Sequence, residues 1–290
     1  MNMYKPYCAA MAVVFIWSGW ITISRFGVHT ALQPADITLL RYWTALLVTI
    51  PFILRYSWQK SRLWQYLVVG LGVGFPYTML SFYALRHLQA AHAGVLVNGL
   101  LPVLGTFAVW LLFRQRITAP RYAAIGVIFL SNICMTNGTA LSLHQAGGLL
   151  LLLAAAVCYT CHMVAIRFYK MTWRDVIVIV PVVNVILFTP LWFVFRSGFV
   201  ESTYHDMAVQ ALYQGVVVNV LALFCVAYAI EHIGTVTVSL FMSFVPVVTA
   251  LLAWIMLGET LSPLEMIGIA GCSIGLTWYA LSPAQVTSGT

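Results

Sequence analysis

A long internal repeat constrains the fold of this chain more than any single motif. The segment from Leu88 to Pro120 recurs from Ile233 to Pro263, about half a chain later. A proline that stands eight residues before a tryptophan occupies equivalent positions in the two copies, Pro102 in the first and Pro246 in the second. A repeat of this length indicates that the chain consists of two related halves.

The two halves are built from apolar runs that are long enough to cross a membrane. Hydrophobic residues make up 62% of the sequence and charged residues only 7%, whereas a water-soluble domain has about 25% charged residues. A helix of about 20 apolar residues spans the roughly 30 Å hydrocarbon core of a bilayer. The predicted spans are residues 7–24, 36–54, 63–85, 88–112, 121–138, 147–168, 175–195, 207–230, 234–257 and 264–281.

Each half contains five predicted spans, and this odd number determines how the halves are related. The second half must enter the membrane in the opposite sense to the first, so the repeats are inverted. We predict an all-α polytopic membrane protein with ten transmembrane helices, arranged as two inverted five-helix repeats at residues 7–138 and 147–281. The first helices of the two halves fit this pairing, because Trp17 and Tyr159 each stand eight residues before an arginine.

Basic residues are distributed unevenly between the two sides of the predicted spans. One side has Lys5, Arg55, Lys60, Arg62, Arg114, Arg116, Arg121, Arg167, Lys170 and Arg174, and the other has Arg25, Arg86 and Arg196. By the positive-inside rule, we predict a multi-pass protein of the cell (inner) membrane with both termini in the cytoplasm. The same residues account for the net charge of +7, so no nucleic-acid partner is expected.

Polar and aromatic side chains deep in the spans are the candidate substrate-binding groups. An unpaired polar group at this depth costs from about 1 kcal/mol to several, so it is rarely idle. We predict that substrate binds to Trp17, Trp20, Tyr77, Asn98, Tyr159, His162, Tyr213, Asn219, Ser239 and Ser243. They lie in spans one, three, four, six, eight and nine, which are three equivalent pairs. The alternatives are helix packing for the tryptophans and interhelical hydrogen bonds for the histidine and the asparagines.

Five further residues are predicted to have roles other than direct substrate binding. Pro102 and Pro246 lie near the middle of their spans and are predicted to be hinges or static kinks. Arg41 lies about a turn inside its span, where snorkelling to the interface is favoured over an anion site. Asn132 and Asn184 lie in spans five and seven, where helix–helix hydrogen bonds are favoured.

The second copy of the repeat carries a family resemblance. The segment from Trp254 to Pro263, followed by Gly268, Gly271 and Gly275 and preceded by Pro246, resembles the EamA type of the drug/metabolite transporter superfamily. This resemblance implies ten helices in two five-helix repeats, with spans one, three, four, six, eight and nine around a central cavity. It extends from about residue 8 to residue 281.

The first copy departs from this pattern. It has Arg114 and Gln115 where the second copy has Gly258 and Glu259. An acidic residue therefore has no predicted role at the first-copy position.

The acidic residues favour one class of transported solute over another. All seven lie in loops or at span ends, whereas drug/proton antiporters use a carboxylate at the membrane centre. We predict a secondary transporter that exports small metabolites, such as amino acids or related amphipathic compounds, by alternating access around a central cavity. The alternatives are an uptake carrier for a vitamin or nucleotide-like metabolite, and multidrug efflux.

Enzymatic activity is not expected, because the deep spans offer only isolated polar groups. We predict no cofactor and no bound metal, since Cys158 and Cys161 lack a second cysteine pair to complete a tetrahedral site. The expected partners are a small-molecule substrate and the lipid bilayer. The chain is predicted to be a monomer or a weak homodimer, with Gly271 and Gly275 used for internal packing or as a dimer face.

Overall fold

The computed structural model describes residues 4–113, 118–135 and 143–283. Ten helical spans occupy these ranges: α1 (Tyr4–Gly27), α2 (Pro34–Ile53), α3 (Lys60–His87), α4 (Ala90–Phe113), α5 (Ala119–Met135), α6 (Leu143–Phe168), α7 (Trp173–Trp192), α8 (Tyr204–Gly234), α9 (Thr237–Leu257) and α10 (Pro263–Leu281). Nine of them are long and apolar enough to cross a membrane, and α5 is a shorter apolar helix. The predicted fold class is confirmed. The predicted end near residue 138 and the positions of Arg114, Gln115 and Arg116 lie outside the described ranges.

The packing between helices follows the relation between the halves. α1 packs on α8 and α9, and its counterpart α6 packs on α3 and α4. In the same way, α2 packs on α8 and its counterpart α7 packs on α3. Three pairs of counterparts also contact each other directly: α2 with α7, α4 with α9, and α5 with α10. These contacts map onto themselves when the halves are exchanged, as expected for inverted repeats around a pseudo-two-fold axis.

Contacts at the helix ends define two sides of the bundle. Arg25, in the last turn of α1, lies 3.0 Å from Glu259, just past the end of α9. The backbone N–H of Ala90, at the start of α4, donates to the same carboxylate over 2.9 Å. α1 and α9 therefore end where α4 begins, on what we call the far side. The opposite side, where α1 begins and α10 ends, is the termini side.

Three spans depart from regular α-helix. α3 is interrupted between Leu63–Gly72 and Phe75–His87, and α8 contains a π-helical stretch at Ala211–Leu221. α9 is broken just before its segment Val245–Leu257, in which Pro246 occupies the first turn. Uninterrupted spans were predicted for α3 and α8, and these predictions are wrong. For α9, a hinge or kink was predicted at Pro246, and the break lies next to that residue. Irregular backbone at membrane depth is tolerated only where it is buried in protein or lines a cavity.

The interruption of α3 is stabilised by polar side chains of α2 and α7. Asn184 on α7 accepts a 2.6 Å hydrogen bond from the backbone N–H of Phe75 and donates over 2.8 Å to the carbonyl of Gly70. The hydroxyl of Tyr42 on α2 donates to the carbonyl of Val73 over 2.9 Å. The interhelical hydrogen bond predicted for Asn184 is confirmed, because its amide satisfies backbone groups that the interrupted helix leaves free.

Small residues allow α5 and α10 to pack closely. A side chain at Gly271 would meet Ser131, and one at Gly275 would meet Ile128. Of the two uses predicted for Gly271 and Gly275, the structure shows internal packing between α5 and α10. Asn132 on α5 donates to the carbonyl of Ile128 in its own helix, and the described residues show no interhelical hydrogen bond of its side chain, contrary to the prediction.

Candidate substrate site

A cavity of about 130 Å³ lies between the two halves of the bundle. Residues of α1, α2, α3, α4, α6, α7, α8 and α9 line it. Most of its wall is aliphatic or aromatic, with few polar groups. Small-molecule sites have this mixture, in which the apolar surface supplies area and a few polar groups fix orientation.

The cavity brings together seven of the ten predicted site residues. The seven lining residues are Trp17, Trp20, Tyr77, Asn98, Tyr159, His162 and Asn219. They come from five of the six predicted cavity helices, α1, α3, α4, α6 and α8, which belong to both halves. The sixth, α9, contributes Val245 in place of the predicted serines. Their role in binding stays a prediction, whereas their convergence on one cavity is an observation.

Aromatic rings form a continuous wall through the cavity. The rings of Trp20 and Tyr77 are stacked with centroids 5.7 Å apart, and Tyr77 and Tyr159 are 5.4 Å apart. The imidazole of His162 follows at 5.9 Å from Tyr159. These separations lie in the range at which aromatic pairs attract each other. The wall crosses the boundary between the halves, because Trp20 and Tyr77 belong to the first half and Tyr159 to the second.

His162 is held by the backbone of α3. The residue is only 4% exposed, and its Nδ1 lies 2.7 Å from the carbonyl oxygen of Val69. A carbonyl oxygen can only accept, so Nδ1 carries the proton in this contact. The histidine therefore makes the interhelical hydrogen bond that the sequence left open and lines the cavity as well.

Arg41 is the main difference between the predicted and the observed site. The residue is 4% exposed and lines the cavity. Its guanidinium donates to Oε1 of Gln214 over 2.8 Å and to Oδ1 of Asn219 over 3.2 Å. The prediction that Arg41 snorkels to the interface is wrong, because the side chain extends to α8 inside the bundle.

Buried amides on α8 hold Arg41 in this position. Gln214 donates to Oγ of Ser24 on α1 over 2.9 Å and to Oε1 of Gln210 over 3.2 Å. Asn219 donates to the backbone carbonyl of Gln214 over 2.9 Å. Asn219 and Gln214 are five residues apart, the repeat of the π-helical stretch that contains them. Gln210 and Gln214 were not among the predicted site residues, although two glutamines one turn apart in an apolar span are a detectable signal.

The remaining predicted residues lie outside the cavity wall. Tyr213 donates to the backbone carbonyl of Ile16 over 3.0 Å, and Ser243 lies 2.9 Å from the hydroxyl of Thr277. Ser239 is half-buried and is not a lining residue. These contacts give Tyr213 and Ser243 a packing role between helices.

The two predicted hinge residues also lie outside the wall. Pro102 lies within α4, which remains helical around it, whereas Pro246 follows the break in α9.

Charged residues join several helix ends on the far side of the bundle. Arg25 pairs with Glu259, with side chains 18% and 10% exposed, and also donates to the backbone carbonyl of Leu85. Burial, with Arg25 nearby, lowers the pKa of His29 in the adjacent loop, which favours its neutral form. These contacts join the far-side ends of α1, α3, α4 and α9.

Ten helical spans, nine of them long and apolar enough to cross a membrane, enclose a mostly apolar cavity between two related halves, an arrangement typical of membrane carriers of small solutes. The model of the EamA-like transporter family matches residues 4–137 and 146–281. The chain therefore belongs to the EamA-like transporter family of the drug/metabolite transporter superfamily, and the resemblance seen in the sequence is confirmed.

Solved structures agree on the fold. Among 27 matching chains, one crystal structure is 21% identical and superposes with a TM-score of 0.62, covering 94% of this chain and 95% of its own. At this identity the likeness concerns the fold alone. No curated protein matches the sequence.

Proposed function

We propose that this transporter exports small metabolites, such as amino acids or related amphipathic compounds, across the cell (inner) membrane, with both termini in the cytoplasm. The observation that carries the proposal is the convergence of side chains from both halves on one cavity. A site between inverted halves can be exposed to either side by a rocking motion, without covalent chemistry.

The contacts around the cavity support alternating access. On the far side, the Arg25–Glu259 pair joins α1 to the end of α9, and in the proposed cycle this contact keeps the cavity closed on that side. Towards the termini side, the cavity wall extends to Thr49, Val176 and Ile177, which lie near the ends of α2 and α7 on that side. Release to the far side requires the charged contacts there to separate, and the proposed cycle alternates between these two arrangements.

The lining favours amphipathic solutes over lipophilic cations. Aromatic rings offer stacking surface, and Asn98, Asn219 and His162 offer hydrogen bonds. No acidic side chain lines the part of the cavity that the structure describes, so a cationic drug finds no counter-charge there. Multidrug efflux is therefore the weaker alternative.

Transport by proteoliposomes tests the assignment of the cavity. We expect Trp20→Ala and Asn98→Ala to lower counterflow of amino acids about tenfold, the equivalent of about 1.4 kcal/mol of lost contacts. Trp254→Ala and Asn132→Ala are matched controls, because Trp254 is 60% exposed on the surface of the bundle and Asn132 bonds within its own helix. Equal rates in all four variants would contradict the cavity assignment.

The direction of transport needs a separate measurement. A peptide tag is added to each terminus, and the fraction of tags that an external protease removes gives the orientation of the protein in the vesicles. Solute accumulation in inside-out vesicles agrees with export, whereas accumulation only in right-side-out vesicles indicates the uptake carrier. Tags on opposite sides of the membrane would contradict the proposed topology.

A further inference from the structure

We propose that Arg41 and Trp20 form a carboxylate subsite within the cavity, so that the transported solute carries a carboxylate group beside an apolar body. This inference rests on the proposed transport function and deepens it by specifying the class of substrate. It starts from two cavity-lining residues, each of which has a buried N–H without a hydrogen-bond partner among the described residues.

The first donor belongs to Arg41. Its terminal nitrogens donate to Gln214 and Asn219. Its Nε is buried and finds no hydrogen-bond acceptor among the described residues. A guanidinium keeps its charge in any protein environment and binds carboxylates through pairs of N–H groups. Arg41 therefore retains a donor for a ligand in the cavity.

The second donor belongs to Trp20. Its indole Nε1 is buried and likewise lacks a partner in the part of the chain that the structure describes. The residue is 7% exposed and lines the same cavity. An indole N–H can only donate. Both residues line the same cavity, and an unpaired buried donor has a cost that a ligand accepting its hydrogen bond would remove.

The charge of the site selects an anion among the possible acceptors. Arg41 contacts neutral amides, and it takes no part in the ion pairs Arg25–Glu259, His92–Glu265 and His205–Asp206. Asp36, on the same helix, is occupied by the indole N–H of Trp192 and by backbone N–H groups. A buried cation without a counter-charge is costly in a membrane, and a solute carboxylate supplies that charge.

The rest of the solute is defined by the surrounding wall. The stacked rings of Trp20, Tyr77 and Tyr159 provide apolar surface. Asn98 uses its Nδ2 to donate to Gly94 of its own helix over 2.6 Å, so its Oδ1 remains an acceptor for a polar hydrogen of the solute. The class is therefore an organic carboxylate with an apolar side chain, with or without an amino group.

Matched probes separate recognition of the carboxylate from recognition of the apolar body. The purified protein in nanodiscs is titrated with 3-phenylpropionate and with 3-phenylpropanamide, which differ only in the charged group. We expect the carboxylate to bind about tenfold more tightly than the amide, as one charge-assisted hydrogen-bonded pair provides. In Arg41→Gln this ratio falls to about one. Arg41→Lys keeps the charge without the planar group and retains an intermediate ratio.

The ratio of affinities is measured within each variant, so a smaller folded fraction does not change it. Arg25→Gln is the matched control, because Arg25 pairs with Glu259 outside the cavity wall, and we expect it to keep the parent ratio. Equal affinities for the two probes in the parent, or an unchanged ratio in Arg41→Gln, would overturn the carboxylate subsite. Proteoliposome flux of both probes is followed in parallel. Binding of the carboxylate with no flux of any solute would count against the transport proposal and leave the subsite standing.

Discussion

The interruption of α3 makes a quantitative prediction about Asn184. In Asn184→Leu, the N–H of Phe75 and the carbonyl of Gly70 lose their partners in a buried position. Each unpaired buried group costs about 1–3 kcal/mol, so two cost about 2–6 kcal/mol. Replacing the buried amide with an apolar side chain of similar size returns about 1–2 kcal/mol. We expect a net loss of about 3 kcal/mol in the free energy of unfolding.

Asn132→Leu is the matched control for this prediction. The Nδ2 of Asn132 bonds within its own helix, and its Oδ1 is buried without a partner among the described residues. Removing an unsatisfied oxygen costs little, so we expect a change within about 1 kcal/mol. Unfolding is followed by circular dichroism while SDS is added to protein in mixed micelles. If the two variants differ by less than about 0.5 kcal/mol, the role assigned to the Asn184 amide is wrong.

Three further predictions concern packing, closure and pH. A methyl group at Gly19 would meet the hydroxyl of Tyr213. We therefore expect Gly19→Ala to lower the free energy of unfolding by about 1–3 kcal/mol in the same assay, and Tyr213→Phe in the same chain to recover part of this loss. Additive losses in the double variant would contradict the contact. Glu259→Gln breaks the ion pair with Arg25, so we expect backbone hydrogen exchange to become about threefold faster at the far-side ends of α3 and α4. Unchanged exchange would refute the role of this ion pair in closure. Because the pKa of His29 is lowered in the folded protein, the unfolded chain binds this proton more readily. The contribution of His29 to stability is therefore complete above about pH 6.5 and is lost as the pH falls towards the pKa of the folded state. His29→Gln should flatten the dependence of melting temperature on pH below 6.5, and an identical slope in both proteins would exclude this effect.

The helices and their relation could be predicted because they depend on features that the sequence displays directly. Apolar runs have the length that a bilayer requires, and an odd number of them in each half requires inversion. The convergence of Trp20, Tyr77 and Tyr159 on one cavity was expected from the family resemblance, which implies that spans one, three and six surround a central cavity. The helices and their inversion needed only the spacing of residues along the chain.

The interruptions and the position of Arg41 depend on contacts between distant residues, which spacing does not show. The break in α3 is stable because Asn184, more than a hundred residues later, replaces its missing hydrogen bonds. Arg41 lies within reach of the interface by sequence, yet Gln214 and Asn219 on α8 provide acceptors inside the bundle. In an apolar medium these partners outweigh the preference of a lone arginine for water.

The close contact between α5 and α10 has a mechanical consequence for the proposed cycle. Helices that approach closely at Gly271 and Gly275 resist sliding. We expect the α5–α10 pair to act as the pivot about which the two halves rotate. Each other helix then moves by an amount proportional to its distance from this pair. Spin labels on α2 and α7 should then report the largest change in separation between the two access states, and labels on the pivot pair should report almost none.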